Sequence, residues 1–311
     1  MSPVAFHKGD FIPLEQATVG VMTHALHYGT AIFEGIRGNW NDEEERMFIF
    51  RLREHYERLL SGCKIMRIKL SYSVQELCDI TVQMVEQCGY REDIYIRPLA
   101  YKAEERVATL NVTPLSDGFT VFAVPFGAYM DLEVAARCCT SSWRRPEDTA
   151  IPPHVKIAGL YVNSVLAKTD AIAAGFDEAI LLNERGYVSD GTGENVFILR
   201  DGQLATPMVV DNVLPGITRS TIIDVAANEL GMEVQERHIA RSEMYLADEM
   251  FLTGTAAHLT AVGSVDNFDV GDGKIGPVTR QLQELYFGIV RGKNPKYLHW
   301  CTQATPKLVS A

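Results

Sequence analysis

The stretch from Lys156 to Pro207 constrains this chain most. It opens with Lys156-Ile157-Ala158-Gly159-Leu160-Tyr161 and passes into a segment where Val162, Val165, Leu166, Ile172 and Ala173 recur at helical spacing. Gly175 supplies the stop. The pattern then changes to strands: Glu178 to Leu182, a turn at Gly186, Tyr187 to Asp190, and Asn195 to Arg200. The last of these ends on Asp201-Gly202, a hairpin signal. One lysine therefore precedes a helix, and two carboxylates, Asp190 and Glu194, flank a tight Gly191-Thr192-Gly193 turn. A buried amine near carboxylates on rigid elements is what covalent Schiff-base chemistry needs. On pattern alone, a solvated lysine and an ordinary turn are the commoner meaning.

Upstream, Phe48 to Phe50 reads as a strand. A helix follows with Leu52, Tyr56, Leu59, Leu60 and Cys63 as its stripe and Arg58 off it. Ser73-Val74-Gln75-Glu76 is a capping box that opens the next helix, with Leu77, Ile80, Met84 and Cys88 as its inner side and Gly89 as its stop. Asp93 to Leu99 alternates as a strand and puts Tyr95 and Arg97 on one face, a pair able to hold a carboxylate. An exposed cross-strand ion pair is the plain alternative for Arg97. His24 and His27 lack a third ligand at metal spacing, so a structural pair is expected. Phe119 to Val124 and Cys138 to Trp143 read as strands. Val213-Leu214-Pro215-Gly216 precedes a helix from Ile217 to about Leu230, closed by Gly231. The end, from about Gly292, reads as an irregular surface tail.

A length of 311 residues with 47% hydrophobic content suggests two domains. The expected division is a smaller N-terminal α/β domain over 1–122, an interdomain loop over 123–133 and a larger C-terminal domain over 134–311. A net charge of -11 argues against nucleic acid. The sequence has neither a long apolar run nor a leader-like N-terminus, so a cytoplasmic protein without membrane attachment is expected. Its six cysteines show no pairing framework and read as reduced, mostly buried thiols.

Three blocks carry a resemblance: Lys156 to Tyr161, Ser189-Asp190-Gly191-Thr192-Gly193-Glu194-Asn195, and Leu214-Pro215-Gly216-Ile217-Thr218-Arg219. In this order they resemble the signature of the fold-type IV pyridoxal 5'-phosphate (PLP) enzymes, and among them the branched-chain amino acid aminotransferases. The similarity runs from about His24 to about Gly288. It implies a two-domain α+β or α/β chain of the D-amino acid aminotransferase type, with its active site at the domain interface and at least a homodimer. It also implies transamination of Leu, Ile and Val with 2-oxoglutarate in a ping-pong cycle.

The resemblance assigns roles residue by residue. Lys156 would form the Schiff base and then move the substrate proton. Arg58, Ile217, Thr218 and Thr255 would hold the phosphate, for which a guanidinium and a helix N-terminus are suited. Tyr161 would meet the phenolic oxygen. Asp190 stands where the family has a Glu beside the pyridine nitrogen; Glu194 is the alternative, or an orienter paired with Arg37. Substrate would be lined by Tyr28 (reaching the partner's site), Phe33, Gly35, Arg37, Tyr95, Arg97, Phe126, Tyr129 and the Ala256-Ala257 turn. Phe126 replaces a common Trp, and Lys156-Ile157-Ala158-Gly159 replaces a commoner Lys-Ala-Gly-Gly.

The segment Tyr101 to Val112 departs from the family's short Gly-rich loop; Lys102 and Arg106 there are expected to be solvated, with contact to a substrate's second carboxylate as the alternative. These departures leave D-amino acid or (R)-amine transamination as the nearest alternative, and a PLP lyase behind it. A metal hydrolase using His24 and His27, or a degenerate binding module, is a minor alternative.

Overall fold

Buried and half-exposed residues alternate along Ile94–Lys102, which places this strand inside a sheet with two unlike faces. The computed structural model describes residues 3–127 and 130–306. The chain divides into two units. Unit 1 is Met1–Gly127, Val155–Gly159 and Gly288–Ala311; unit 2 is Ala128–His154 and Leu160–Phe287.

The sheet of unit 1 runs Cys301–Ala304, Arg46–Phe50, Ile36–Asn41, Ile94–Lys102, Asp117–Pro125, Val4–His7, Asp10–Pro13, and Ala31–Phe33 also pairs with Ile94–Lys102. Every neighbouring pair is antiparallel. The helix Leu52–Ile65 buries Leu52, Tyr56, Leu59 and Cys63, as its spacing predicts, while Leu60 is half-buried. The helix Val74–Cys88 begins at the expected capping box: Ser73 Oγ accepts from Glu76 N–H at 3.2 Å, and Glu76 Oε2 accepts from Ser73 N–H at 2.7 Å.

The sheet of unit 2 runs Gln235–Glu236, Gln203–Thr206, Asn195–Arg200, Glu249–Gly254, His258–Val265, Ala136–Arg144, Glu178–Leu182, with Phe268–Asp269 on His258–Val265. It is mixed, because Ala136–Arg144 lies parallel to both of its neighbours. Its core includes Ile180, Val196, Ile198, Leu252 and Val262. The strands Glu178–Leu182 and Asn195–Arg200 and the helix Ile217–Leu230 fall where the sequence puts them.

Several expectations are corrected. In the helix Tyr161–Ala173 the buried face is Ser164, Ala167 and Ala171, packed against Ala179 and Leu181. Val162, Val165 and Ile172, expected inside, are at least 55% exposed. Close approach of a helix to a sheet selects the small side chains, so spacing of the large ones pointed to the wrong face. Tyr187 to Asp190 makes only isolated bridges, to Leu182, Asn195 and Ala240, and is not a strand. Lys102 is buried rather than solvated, its Nζ ion-paired with Asp117 Oδ1 at 2.7 Å and donating to Arg67 O at 2.6 Å; Arg106 is exposed. The stretch after Gly292 is not a loose tail. Pro295–Trp300 is a 3-10 helix and Cys301–Ala304 pairs with Arg46–Phe50, so it belongs to the first unit and not to the second domain. Among the described residues no helix is long and apolar enough to cross a membrane.

Tyr297 is 3% exposed and stacks on Trp300 at 4.7 Å. Tyr297→Ala should destabilise the chain by about 3 kcal/mol, as for other aromatic truncations in a core. A loose surface position would lose less than about 0.5 kcal/mol in a denaturant titration.

Candidate active site

Lys156 stands on a short segment clipped to the strand Ala31–Phe33. Phe33 N–H donates to Lys156 O at 3.2 Å, Ile32 and Ile157 bridge, and Gly159 N–H donates to Gly29 O at 3.1 Å. Gly29 has φ +63, and a Cβ there would lie 2.5 Å from Gly159 Cα, so the approach needs glycine. These bonds explain why Val155–Gly159 belongs to unit 1 although the sequence assigned it to the second domain.

Lys156 Nζ lies 5.2 Å from the centre of the Phe33 ring, and the Arg97 guanidinium lies 4.6 Å from the same ring. Arg97 donates to Tyr95 OH at 3.2 Å, and the Tyr95 and Phe126 rings are 5.2 Å apart. Arg37 lies 4.6 Å from the Phe126 ring and donates to the carbonyls of Phe126 and Gly127. Gly35 makes room for Tyr95, whose hydroxyl a Cβ would overlap. Unit 1 thus gathers Lys156, Phe33, Gly35, Arg37, Tyr95, Arg97 and Phe126. Arg97 is half-buried and not an exposed ion pair; its Nε is buried with no acceptor among the described residues. A buried donor without an acceptor is costly unless a ligand supplies one. Tyr28 is 39% exposed and its hydroxyl accepts from Ala108 N–H. The His24 ring nitrogens lie 2.8 Å from Thr30 Oγ1 and 2.9 Å from Thr109 O. Tyr129 lies outside the described residues.

Behind this group sits Glu34, fully buried. Arg58 donates to it twice, Nε to Oε1 and Nη2 to Oε2, each at 2.7 Å, and His55 Nδ1 lies 2.8 Å from Oε2. Burial alone would raise the Glu34 carboxyl, but Arg58 and His55 outweigh it and hold it far below the usual carboxylate range. Burial lowers the His55 imidazole in spite of Glu34.

Unit 2 holds a second group. Asp190 is buried; Asn195 Nδ2 donates to Oδ1 at 2.9 Å, Leu214 N–H donates to Oδ2 at 3.0 Å, and Arg145 stands 3.7 Å away. Burial raises the Asp190 carboxyl, against Arg145 and the two hydrogen bonds. Glu194 is buried too, its Oε2 accepting from Gly193 N–H at 2.9 Å. Burial, with Glu178 beside it, pushes Glu194 up to about 8. The helix Ile217–Leu230 starts from Gly216 with no side chain capping it and no acidic residue in its first turn. A Cβ on Gly216 would overlap Asn195 Oδ1, which ties this helix start to the Asp190 turn. Thr218 is buried in that first turn. Thr255, Ala256 and Ala257 form the turn between Glu249–Gly254 and His258–Val265; a Cβ on Gly254 would sit 3.2 Å from Gly193 O. Tyr161 is the half-buried first residue of its helix.

Sequence reasoning missed Glu34, His55, Arg145 and Asn195 as site partners. Asn195 lay inside a quoted motif and Glu34 between two named residues, Phe33 and Gly35; their burial and partners set them apart.

The family profile described as amino-transferase class IV matches residues 31–265. Among curated proteins, the chain is 48% identical over 307 residues to the probable branched-chain-amino-acid aminotransferase of Aquifex aeolicus (strain VF5), with 97% of each covered. Among solved structures, it is similar to the branched-chain aminotransferase of Thermoproteus uzoniensis with norvaline, at 41% identity and a TM-score of 0.93, covering 97% of this chain and 99% of that one. The PLP-form of the Thermobaculum terrenum branched-chain amino acid aminotransferase gives 38% identity and the same TM-score, with 97% and 98% covered.

The raised Glu194 carboxyl has a consequence for stability. Its folded pKa of about 8 exceeds the unfolded value of 4.5, so between these values the folded state keeps a proton that the unfolded state has released. Stability from this group is full below the lower value and falls as pH rises toward the upper one. Glu194→Gln should abolish that slope: its thermal midpoint relative to the unsubstituted chain should improve steadily from pH 5 to pH 8. A pH-independent difference would contradict the assignment.

Proposed function

The chain belongs to the class IV aminotransferases, and on that premise we propose that it transfers amino groups between branched-chain L-amino acids and 2-oxoglutarate with PLP as cofactor. The observation that carries the reading is the cluster in unit 1: an amine, Lys156, beside an aromatic wall, Phe33, and a half-buried arginine, Arg97, whose buried Nε has no acceptor among the described residues.

The residues present fit the cofactor. The helix start at Ile217 and Thr218 has neither a capping side chain nor an acidic neighbour in its first turn, which suits a phosphate. Arg58 and Thr255 are the further phosphate residues, and Tyr161 would meet the phenolic oxygen. Asp190 is the better partner for a protonated ring nitrogen: burial raises its carboxyl, but Arg145, Leu214 N–H and Asn195 oppose that rise, whereas nothing comparable opposes it at Glu194, pushed up to about 8. When bound, PLP accepts the substrate's amino group and draws off the electron pair left at Cα.

The chain's own residues do the rest. Lys156 Nζ is the amine that would hold the cofactor, and the same amine would take the substrate Cα proton as base and return it as acid. Arg97, with Tyr95, binds the substrate carboxylate and sets Cα against Lys156. Phe33, Phe126 and Gly35, with Tyr28 reaching over from a second copy of the chain, line an apolar place for a Leu, Ile or Val side chain and exclude water from it. Arg37 holds the Phe126 and Gly127 backbone, and the Ala256-Ala257 turn offers backbone N–H groups.

Lys156→Ala should lower transamination of L-leucine by about 10⁴-fold, since it removes both the covalent anchor and the general base. Asp190→Asn should cost at least about a hundredfold in kcat. The carboxylate assignment is wrong if Glu194→Gln is instead the more damaging change, assayed under the same conditions.

The protein acts in the cytoplasm as at least a homodimer. Support comes from its free cysteines and from the exposed apolar residues Val162, Val165, Leu166 and Ile172. In analytical ultracentrifugation, Leu166→Asp should shift the assembly toward smaller species; an unchanged sedimentation coefficient would show that this helix face is not an interface.

A further inference from the structure

Glu34 has no exposed surface, and no step of the reaction uses it. A buried carboxylate is expensive unless charges and hydrogen bonds compensate it. Here the compensation comes from two residues of the helix Leu52–Ile65, one turn apart: Arg58 through two parallel bonds of 2.7 Å, and His55 through one of 2.8 Å. Two parallel N–H donors on a carboxylate fix a guanidinium in plane and direction, which a single bond does not.

The anchor of the clamp is equally defined. Glu34 N–H donates to Pro98 O at 3.0 Å, and the residue before it, Phe33, donates its N–H to Lys156 O. One dipeptide therefore carries the group that orients Arg58 and the bond that positions Lys156. We propose that Glu34, supported by His55, is a positioning residue that clamps the Nε–Nη2 edge of Arg58 so that the guanidinium presents itself to the cofactor phosphate at a fixed distance from Lys156. The inference rests on Arg58 being a phosphate ligand, as read above.

Simple electrostatics gives the opposite expectation. A carboxylate near a phosphate dianion repels it, so its neutralisation would tighten binding. Positioning predicts weaker binding, because an amide in place of Glu34 offers one oxygen and turns an N–H donor against Arg58. The sign of the effect separates the two. His55 faces the ionised Glu34 through Nδ1 at 2.8 Å, and because a carboxylate oxygen can only accept, Nδ1–H is the donor that holds Oε2.

The test uses the full-length chain freed of cofactor and titrated separately with PLP and with pyridoxal, which lacks the phosphate, followed by absorbance. Glu34→Gln should raise the Kd for PLP about tenfold, the loss of one charge-assisted bond, and leave that for pyridoxal within about twofold. His55→Asn, whose amide can replace the Nδ1–H donor, should stay close to the unsubstituted chain. Unchanged or tighter PLP binding by Glu34→Gln would overturn the inference. So would equal weakening toward both ligands, since a purely structural role does not distinguish them. Arg58→Ala is the control for the premise: weaker PLP binding supports Arg58 as a phosphate ligand, and unchanged binding removes that reading before Glu34 is in question. Should Glu34→Gln fail to fold, His55→Ala carries the test, phosphate-selective weakening supporting the clamp and equal weakening overturning it.

Discussion

The hydrogen bond from Phe33 N–H to Lys156 O is the constraint on which the cluster around Lys156 in unit 1 depends. It makes a remote segment, Val155–Gly159, continuous with the strand Ala31–Phe33, and it does so where two glycines let the backbones meet. Lysine has a long, flexible side chain, so a defined amine position has to come from the backbone that carries it. Phe33 then serves twice: its backbone holds the lysine segment and its ring is the wall faced by both Lys156 and Arg97. Glu34, the next residue, spends its burial on Arg58.

Unit 2 is governed by the balance between burial and compensation. Asp190 and Glu194, four residues apart on one turn, are both buried and both raised by desolvation. Their surroundings then separate them. Asp190 has a guanidinium, a backbone N–H and an amide; Glu194 has one N–H and another carboxylate, Glu178, for a neighbour. Two carboxylates on one turn with opposed environments can hold different protonation states at one pH, and only the ionised one can keep a ring nitrogen protonated.

Local chemistry made much of this legible in the sequence. The capping box at Ser73, the Asp201-Gly202 hairpin and the helix Ile217–Leu230 are written in short-range rules, and they appear where those rules place them. What failed depended on packing distance. Val162, Val165 and Ile172 looked like a core stripe, but the sheet lies close enough to admit only Ser164, Ala167 and Ala171. Lys102 looked solvated because its partner, Asp117, arrives from another strand. Cys301–Ala304 looked irregular because a four-residue edge strand has no period to detect. Among the candidate site residues, Lys156, Asp190 and Thr218 are singled out only through the likeness of their motifs. Glu34 and Arg145 were not, since nothing in a sequence marks a charge that will be buried opposite another.

The most direct measurement is the visible spectrum of the purified protein loaded with PLP, recorded before and after addition of L-leucine. A yellow absorption that is lost on adding L-leucine and returns on adding 2-oxoglutarate is the predicted result. It would show the amino group moving onto the cofactor and off again. A chain that binds PLP, ignores L-leucine and responds to a D-amino acid or an (R)-amine would contradict the proposed substrate, and one that acquires no absorption with PLP would contradict the site itself.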